Sequence, residues 1–302
     1  MNCRNQPFAI FLATALFVSL IFISCRKETS STNTDAQEQE LAQASTEASG
    51  EAENIFSETF DDVMGVNNDV GMEGSGVFYG RPDTLNPALR CFTVTITHPN
   101  NTPFPVRVVI DFGNTGCPGP DGHIRRGKII SEYTDRLLNP GAMAVTTFDG
   151  FYIDSVKVEG THKITNTSQP PNIVRRYRIE VIDGKLTKPS GNYIEWNSSR
   201  SVLQIDGMAT PTPRDDVYKI YDGTATGKVR RGNLLVRWES TITEPLIRRV
   251  SCRWIVKGVI KTVRANLPAN SHWVSFLNFG NGDCDNQATL TVNGHTFQIT
   301  LN

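Results

Sequence analysis

From about residue 90 to the end of the chain, apolar and polar side chains alternate with a period of two. In LLVRWESTI (234–242), Leu234, Val236, Trp238, Ser240 and Ile242 take one face, and Leu235, Arg237, Glu239 and Thr241 take the other. RRYRIEVIDGK (175–185) repeats the pattern, with Tyr177, Ile179 and Val181 set between Arg176, Arg178 and Glu180. Successive strand side chains point to opposite faces, so each such run predicts a half-buried strand. Asp183-Gly184 predicts a turn. In LTVNGHTFQITL, Asn293-Gly294 predicts a tight hairpin, because both of its turn positions must tolerate positive φ. Roughly a dozen strands follow on this reading, with no helical block long enough for a parallel crossover. The expected fold is therefore all-β: a large antiparallel sheet, or an open barrel or sandwich. One segment breaks the rule. Phe56, Phe60, Val63 and Met64 have helical spacing, so Ile55 to Met64 predicts one short N-terminal helix capping an end of the sheet.

The N-terminus has a different pattern. Phe8 to Ile23 is an uncharged run with Arg4 before it, and Ile23-Ser24-Cys25 closes it. That layout reads as a secretory signal over residues 1–25 whose cleavage leaves Cys25 to be acylated, giving a membrane anchor through the lipidated N-terminus. The rival is an uncleaved membrane helix, for which the flanking charges give no clear orientation. Arg26-Lys27-Glu28-Thr29 follows, and resembles a short Lys-then-acidic export signal with Thr29 in the second acidic place. It leaves the periplasmic side and the cell surface both open. Residues 26–55 contain no aromatic residue or proline, and carry two cations against seven anions. Such a segment buries too little apolar surface to offset its chain entropy, so the expectation is a disordered acidic tether reaching about 30 Å. Residues 56–302 then form the globular domain. Its net charge of +3 is too small to argue for nucleic acid.

Six cysteines are present. Cys3 leaves with the signal and Cys25 takes lipid, so Cys91, Cys117, Cys252 and Cys284 remain for disulfides in an oxidising compartment. Four cysteines allow three connectivities. Two of them share an ordering: Cys91 and Cys252 each open an alternating run, while Cys117 and Cys284 each follow Phe-Gly-Asn after two residues. That ordering favours Cys91–Cys117 and Cys252–Cys284. The separations are too long for a structural zinc site, and there is no Cys-x-x-Cys or His-x-x-x-His pair.

The blocks DFGNTGC, GHIRRGKII, VEGTHKITN, TITEPLIRRVSCRWIVKG and NFGNGDCDNQATLTVNGH resemble a family of uncharacterised Bacteroidota (Bacteroidetes) secreted lipoproteins. The resemblance runs over most of residues 90–302 and implies an all-β secreted lipoprotein. It implies no activity and no catalytic residues. A second internal match, Arg125-Arg126-Gly127-Lys128 with Arg230-Arg231-Gly232-Asn233, has a different offset from the cysteine pairs, so a tandem duplication is not expected. These arginines read as solvated strand or turn residues.

Candidate chemistry is sparse. No nucleophile elbow, zinc-protease helix or phosphate loop occurs, and no cofactor motif is present. His98, His123, His162, His272 and His295 are scattered singly. Glu159 and Glu195, with Glu180 and Glu239, offer the paired carboxylates of a glycosidase, although Glu180 and Glu239 lie on polar strand faces. Asn281 to Asn286, with Asp283 and Asp285, offers oxygen ligands for a metal such as calcium, but it also has the composition of an ordinary turn. Trp238 reads as core, and Trp196 as the tryptophan to test for a glycan platform. Asp83-Thr84-Leu85 and Asp154-Ser155-Val156 resemble O-glycosylation sites. The sequence thus points to an envelope lipoprotein with a non-catalytic binding or structural role. Its partner would be a glycan or a protein, and not nucleic acid. The alternatives are a glycan hydrolase and a lipid or lipoprotein carrier with an apolar cavity.

Overall fold

The computed structural model describes residues 28–65, 91–119, 121–171, 174–210, 215–265, 267 and 271–301. The apolar run, Cys25 and Asp83-Thr84-Leu85 lie outside them. One helix, α1 (Glu28–Gly65), precedes fourteen strands. These are β1 (Thr93–Thr97), β2 (Val106–Asp111), β3 (Cys117–Pro118), β4 (Ile124–Tyr133) and β5 (Met143–Ile153). They continue with β6 (Val156–Asn166), β7 (Arg176–Thr187), β8 (Tyr193–Asp206), β9 (Val217–Arg231) and β10 (Leu234–Arg249). The last four are β11 (Ile255–Arg264), β12 (Ser275–Asn281), β13 (Gln287–Val292) and β14 (His295–Thr300). All belong to one antiparallel meander in chain order, with only β3 set off the path beside β4. β1 and β14 end the path, and the sheet is not closed into a barrel.

The turn chemistry divides cleanly. Asn293 (φ 49°) and Gly294 (φ 74°) make the expected hairpin, pairing Val292 with His295. Asp183-Gly184 does not turn the chain. It is a bulge inside β7, where the register shifts between Val181 and Gly184. A bulge accepts the same positive φ as a turn, here 52° at Asp183, so the dipeptide serves either purpose. A Cβ on Gly184 would lie 2.8 Å from the Phe56 ring, which is why this position stays bare. The Arg-Arg-Gly match is likewise local: Gly127 sits in a bulge of β4, whereas Gly232 turns β9 into β10.

The sheet curls around α1, and here the tether expectation fails. The helix runs from Glu28 to Gly65, and from Ala42 onward it is buried on nearly every side, so residues 42–55 are not a leash but part of the core. Residues 26–55 have too little apolar surface of their own to fold alone. Instead the concave sheet face supplies the apolar area, and the helix brings small residues that let strands approach. Ala44, Ala48 and Ala52 join Phe56, Phe60 and Val63 in one core with Trp196, Trp238, Tyr177 and Leu277. The sheet answers with a row of small or polar inward residues across its middle: Ser131, Thr146, His162, Val181, Ser198, Ala225, Ser240, Thr262 and Ser275 are cross-strand partners in succession. Ser49 donates to Ser240 (3.0 Å), and Thr46 bonds Ser275. The long helix therefore fills the sheet's interior rather than capping one end.

Two disulfides, Cys91–Cys117 and Cys252–Cys284, span 26 and 32 residues. They are the pairs that the shared ordering favours. The first ties the chain before β1 to β3, and the second ties the chain after β10 to that before β13.

Candidate functional site

The last turns of α1 place Glu58, Asp61 and Asp62 at spacings of three and four, so Glu58 and Asp62 share a face. These acids lie at the negative end of a helix dipole, with no basic residue in the last turn. The sheet provides the compensation. Asp121, His123 and Arg125 alternate with a period of two into β4, which aims all three side chains the same way. Arg125 donates to Asp62 Oδ2 through Nε (3.0 Å) and grips Asp121 with two bonds of 3.0 and 2.7 Å. Arg248 donates to Asp61 Oδ2 through Nε (3.1 Å) and a terminal nitrogen (2.9 Å), and also to the Cys252 carbonyl. Asp154, in the β5–β6 turn, accepts from the Ile124 amide (2.9 Å), from Arg253 (3.2 Å) and from His123 Nδ1 (2.7 Å). The other imidazole nitrogen, Nε2, lies 3.1 Å from Glu58 Oε1, without hydrogen-bond geometry.

Burial governs the electrostatics. It pushes Asp61 up to about 6 and Asp62 up to about 7, against the pull of Arg248 and Arg125. Asp121 is held low: burial raises it, but the Arg125 hydrogen bonds and charge outweigh that. Asp154 is also low, because the Ile124 amide and His123 outweigh its burial. For His123, burial favours the neutral ring, yet the neighbouring Glu58 and Asp154 carboxylates leave its pKa raised. Glu58, Asp121 and His123 each offer one ligand atom, all within 4.8 Å of one another, and they are the one such group among the described residues.

A second buried pair lies further back along α1. Arg200 on β8 donates to Glu53 through Nε and a terminal nitrogen, at 2.9–3.3 Å, both side chains being nearly inaccessible. Three inward arginines thus fasten three helix acids. The arginines read from sequence as solvated include one of them, Arg125, which is 2% exposed. Its neighbour Arg126 points outward and stacks on Tyr152 at 4.2 Å.

The other sequence candidates are not brought together. Trp196 is 2% exposed and stacks on Phe56 (5.3 Å), so it is core and offers no sugar platform. Asp283 and Asp285 are exposed, and Asp285 Oδ1 accepts the Gln287 amide (2.8 Å) in a tight turn. Glu159 and Glu195 lie on the outer face two strands apart, with Lys185 between them in register. Each is ion-paired at 2.6 Å, to Lys157 and Lys228 respectively. Glu180 pairs with Lys163 at 3.1 Å. Glu195 and Glu239 do share an open outer groove of about 340 Å³ with Asn197, Lys228 and Arg237. His162 is buried without a partner among the described residues, and burial pushes it down to about 3. His123 is the histidine that acquires neighbours. Its signal was present in the Asp121-x-His123-x-Arg125 alternation and in the helical spacing of Glu58 and Asp62, but neither half is informative without the other. No protein-family model matches the chain, and no curated protein or solved structure is significantly similar to it.

Proposed function

We propose that this chain is an envelope lipoprotein, anchored through Cys25, whose β domain has a non-catalytic binding or structural role in surface recognition or envelope maintenance. One observation carries the reading: the groups with reactive potential are consumed in holding α1 inside the sheet. The Asp154–His123 dyad ends on a buried carboxylate rather than a nucleophile, and His123 is 3% exposed. Catalysis would need these groups to converge on a cleft that substrate can enter. Of the outer-face carboxylates, Glu159, Glu180 and Glu195 are engaged by lysines. The interior that a lipid carrier would keep empty is occupied by α1 and its apolar neighbours. Recognition would then fall to the outer face, where the groove beside Arg237 and Glu239 is open.

On this reading α1 begins three residues after Cys25, so the domain rides close to the membrane: three extended residues span at most about 11 Å. The test is metabolic labelling with a palmitate analogue, combined with fractionation and protease shaving of intact cells. Label and membrane partition are expected for the natural chain and lost in Cys25→Ser. A soluble, unlabelled natural chain would overturn the anchoring. Glycan hydrolysis that disappears in Glu159→Gln or Glu195→Gln would overturn the non-catalytic role in favour of a hydrolase.

A further inference from the structure

We propose that Glu58, Asp121 and His123 form a binding site for a divalent transition-metal ion of the zinc class, which pins the end of the internal helix to the β3–β4 segment. The donors are already converged, with one ligand atom from each residue inside a 4.8 Å group. His123 has the arrangement that a metal-ligating imidazole needs: Nδ1 bonds Asp154 Oδ2 at 2.7 Å, which holds the ring and leaves Nε2 as the ligand nitrogen. Nε2 lies close to Glu58 but does not point along a hydrogen bond to it. A cation shared with Glu58 would take Nε2 in place of the proton that the neighbouring carboxylates otherwise favour on the ring.

The second, independent observation is the set of unpartnered oxygens. Glu58 is fully buried, and its Oε2 has no partner among the described residues; the same holds for Asp62 Oδ1 beside it. A buried carboxylate oxygen without a donor is costly. Asp121 Oδ1 accepts from both Arg125 and the His123 amide, but Oδ2 accepts from Arg125 alone and keeps a lone pair. Carboxylates also outnumber cations around the group: Glu58, Asp61, Asp62, Asp121 and Asp154 stand against Arg125, Arg248 and Arg253, with burial favouring the protonated form of Asp61 and Asp62.

The donor set selects the class of ion. One imidazole with carboxylates suits zinc or cobalt. The nitrogen disfavours calcium and magnesium, and the absence of thiolate disfavours copper(I). The nearby cysteines are in disulfides and do not compete. Three protein ligands leave a fourth position for water, but with Glu58 and His123 buried no substrate reaches it, so the ion's part would be to pin the helix.

The test uses the full chain purified in detergent, stripped with EDTA and titrated with ZnCl2 or CoCl2. One equivalent of zinc is expected, with a melting temperature several degrees higher at about 100 times the dissociation constant. Cobalt should give visible d–d bands of a nitrogen–oxygen site without thiolate charge transfer. His123→Ala and Glu58→Gln should abolish both signals. If those variants fail to fold, Asp154→Asn decides: its side chain is 41% exposed and touches no metal, yet binding should weaken about 10–100-fold through loss of ring orientation. Substoichiometric zinc, thiolate bands, equal affinity for magnesium, or unchanged binding in Asp154→Asn and His123→Ala would each overturn the proposal.

Discussion

Replacing Glu53 is the sharpest test of whether α1 belongs to the core. If residues 26–55 were a tether, Glu53→Ala would do nothing. In the structure, Glu53 and Arg200 are 3% and 2% exposed, and three hydrogen bonds of 2.9–3.3 Å join them across 147 residues of sequence. Removing the carboxylate strands a guanidinium inside the sheet, which typically costs about 3–5 kcal/mol. For a domain of this size that corresponds to a fall in melting temperature of roughly 6–20 °C. Replacing both partners, as Glu53→Leu with Arg200→Met, removes the stranded charge and should recover most of the loss, since apolar replacement of a buried pair is often neutral. Glu40→Ala is the control: the residue lies on the same helix but is exposed, so a change within about 0.5 kcal/mol is expected. Thermal and urea melts followed by circular dichroism would read all four proteins. Equal, negligible shifts for Glu53→Ala and Glu40→Ala would refute the placement of the helix.

Stability should also fall as pH rises from about 4 to about 7. Burial pushes Asp216 up to about 7, despite the hydrogen bond that it accepts from Tyr218 (2.8 Å), so the folded state holds a proton that the unfolded chain has already lost. The loss is complete once pH passes the folded value, and is bounded by about 4 kcal/mol at 1.4 kcal/mol per pKa unit. Asp61 and Asp62 act in the same direction, so Asp216→Asn should lessen, without abolishing, the difference between melts at pH 5 and pH 8; a natural chain more stable at pH 8 than at pH 5 would contradict the assignment. Cys91→Ser with Cys117→Ser should cost about 3–4 kcal/mol, from a loop of 26 residues in the chain-entropy model. A urea midpoint unchanged from that of the natural protein would show that the bridge does not constrain the unfolded chain.

Much of the sheet was legible because strand periodicity is local. Tyr177, Ile179 and Val181 face inward as their alternation requires, and Asn293-Gly294 turns the chain as its φ demands. The errors cluster where one sequence feature serves two geometries. Asp183-Gly184 has the positive φ of a turn but bulges a continuous strand. Trp196 alternates with polar neighbours, yet which face meets solvent depends on where the helix lies. The candidate site suffered most. Glu58 and Asp62 read as acids near the start of a domain, and His123 as a lone histidine, because no local pattern says that an acidic helix will be buried.

The sequence by itself determined the strands, their antiparallel succession and the cysteine ordering, since these depend on neighbours a few residues apart. Only the tertiary structure decided that the polar N-terminal segment is the centre of the molecule. Before Ile55 the helix carries small and charged residues with no stripe of large apolar side chains, and it is stable here because a curved sheet surrounds it with apolar surface and three arginines. That energy comes from residues 60–190 positions away, where local periodicity carries no information.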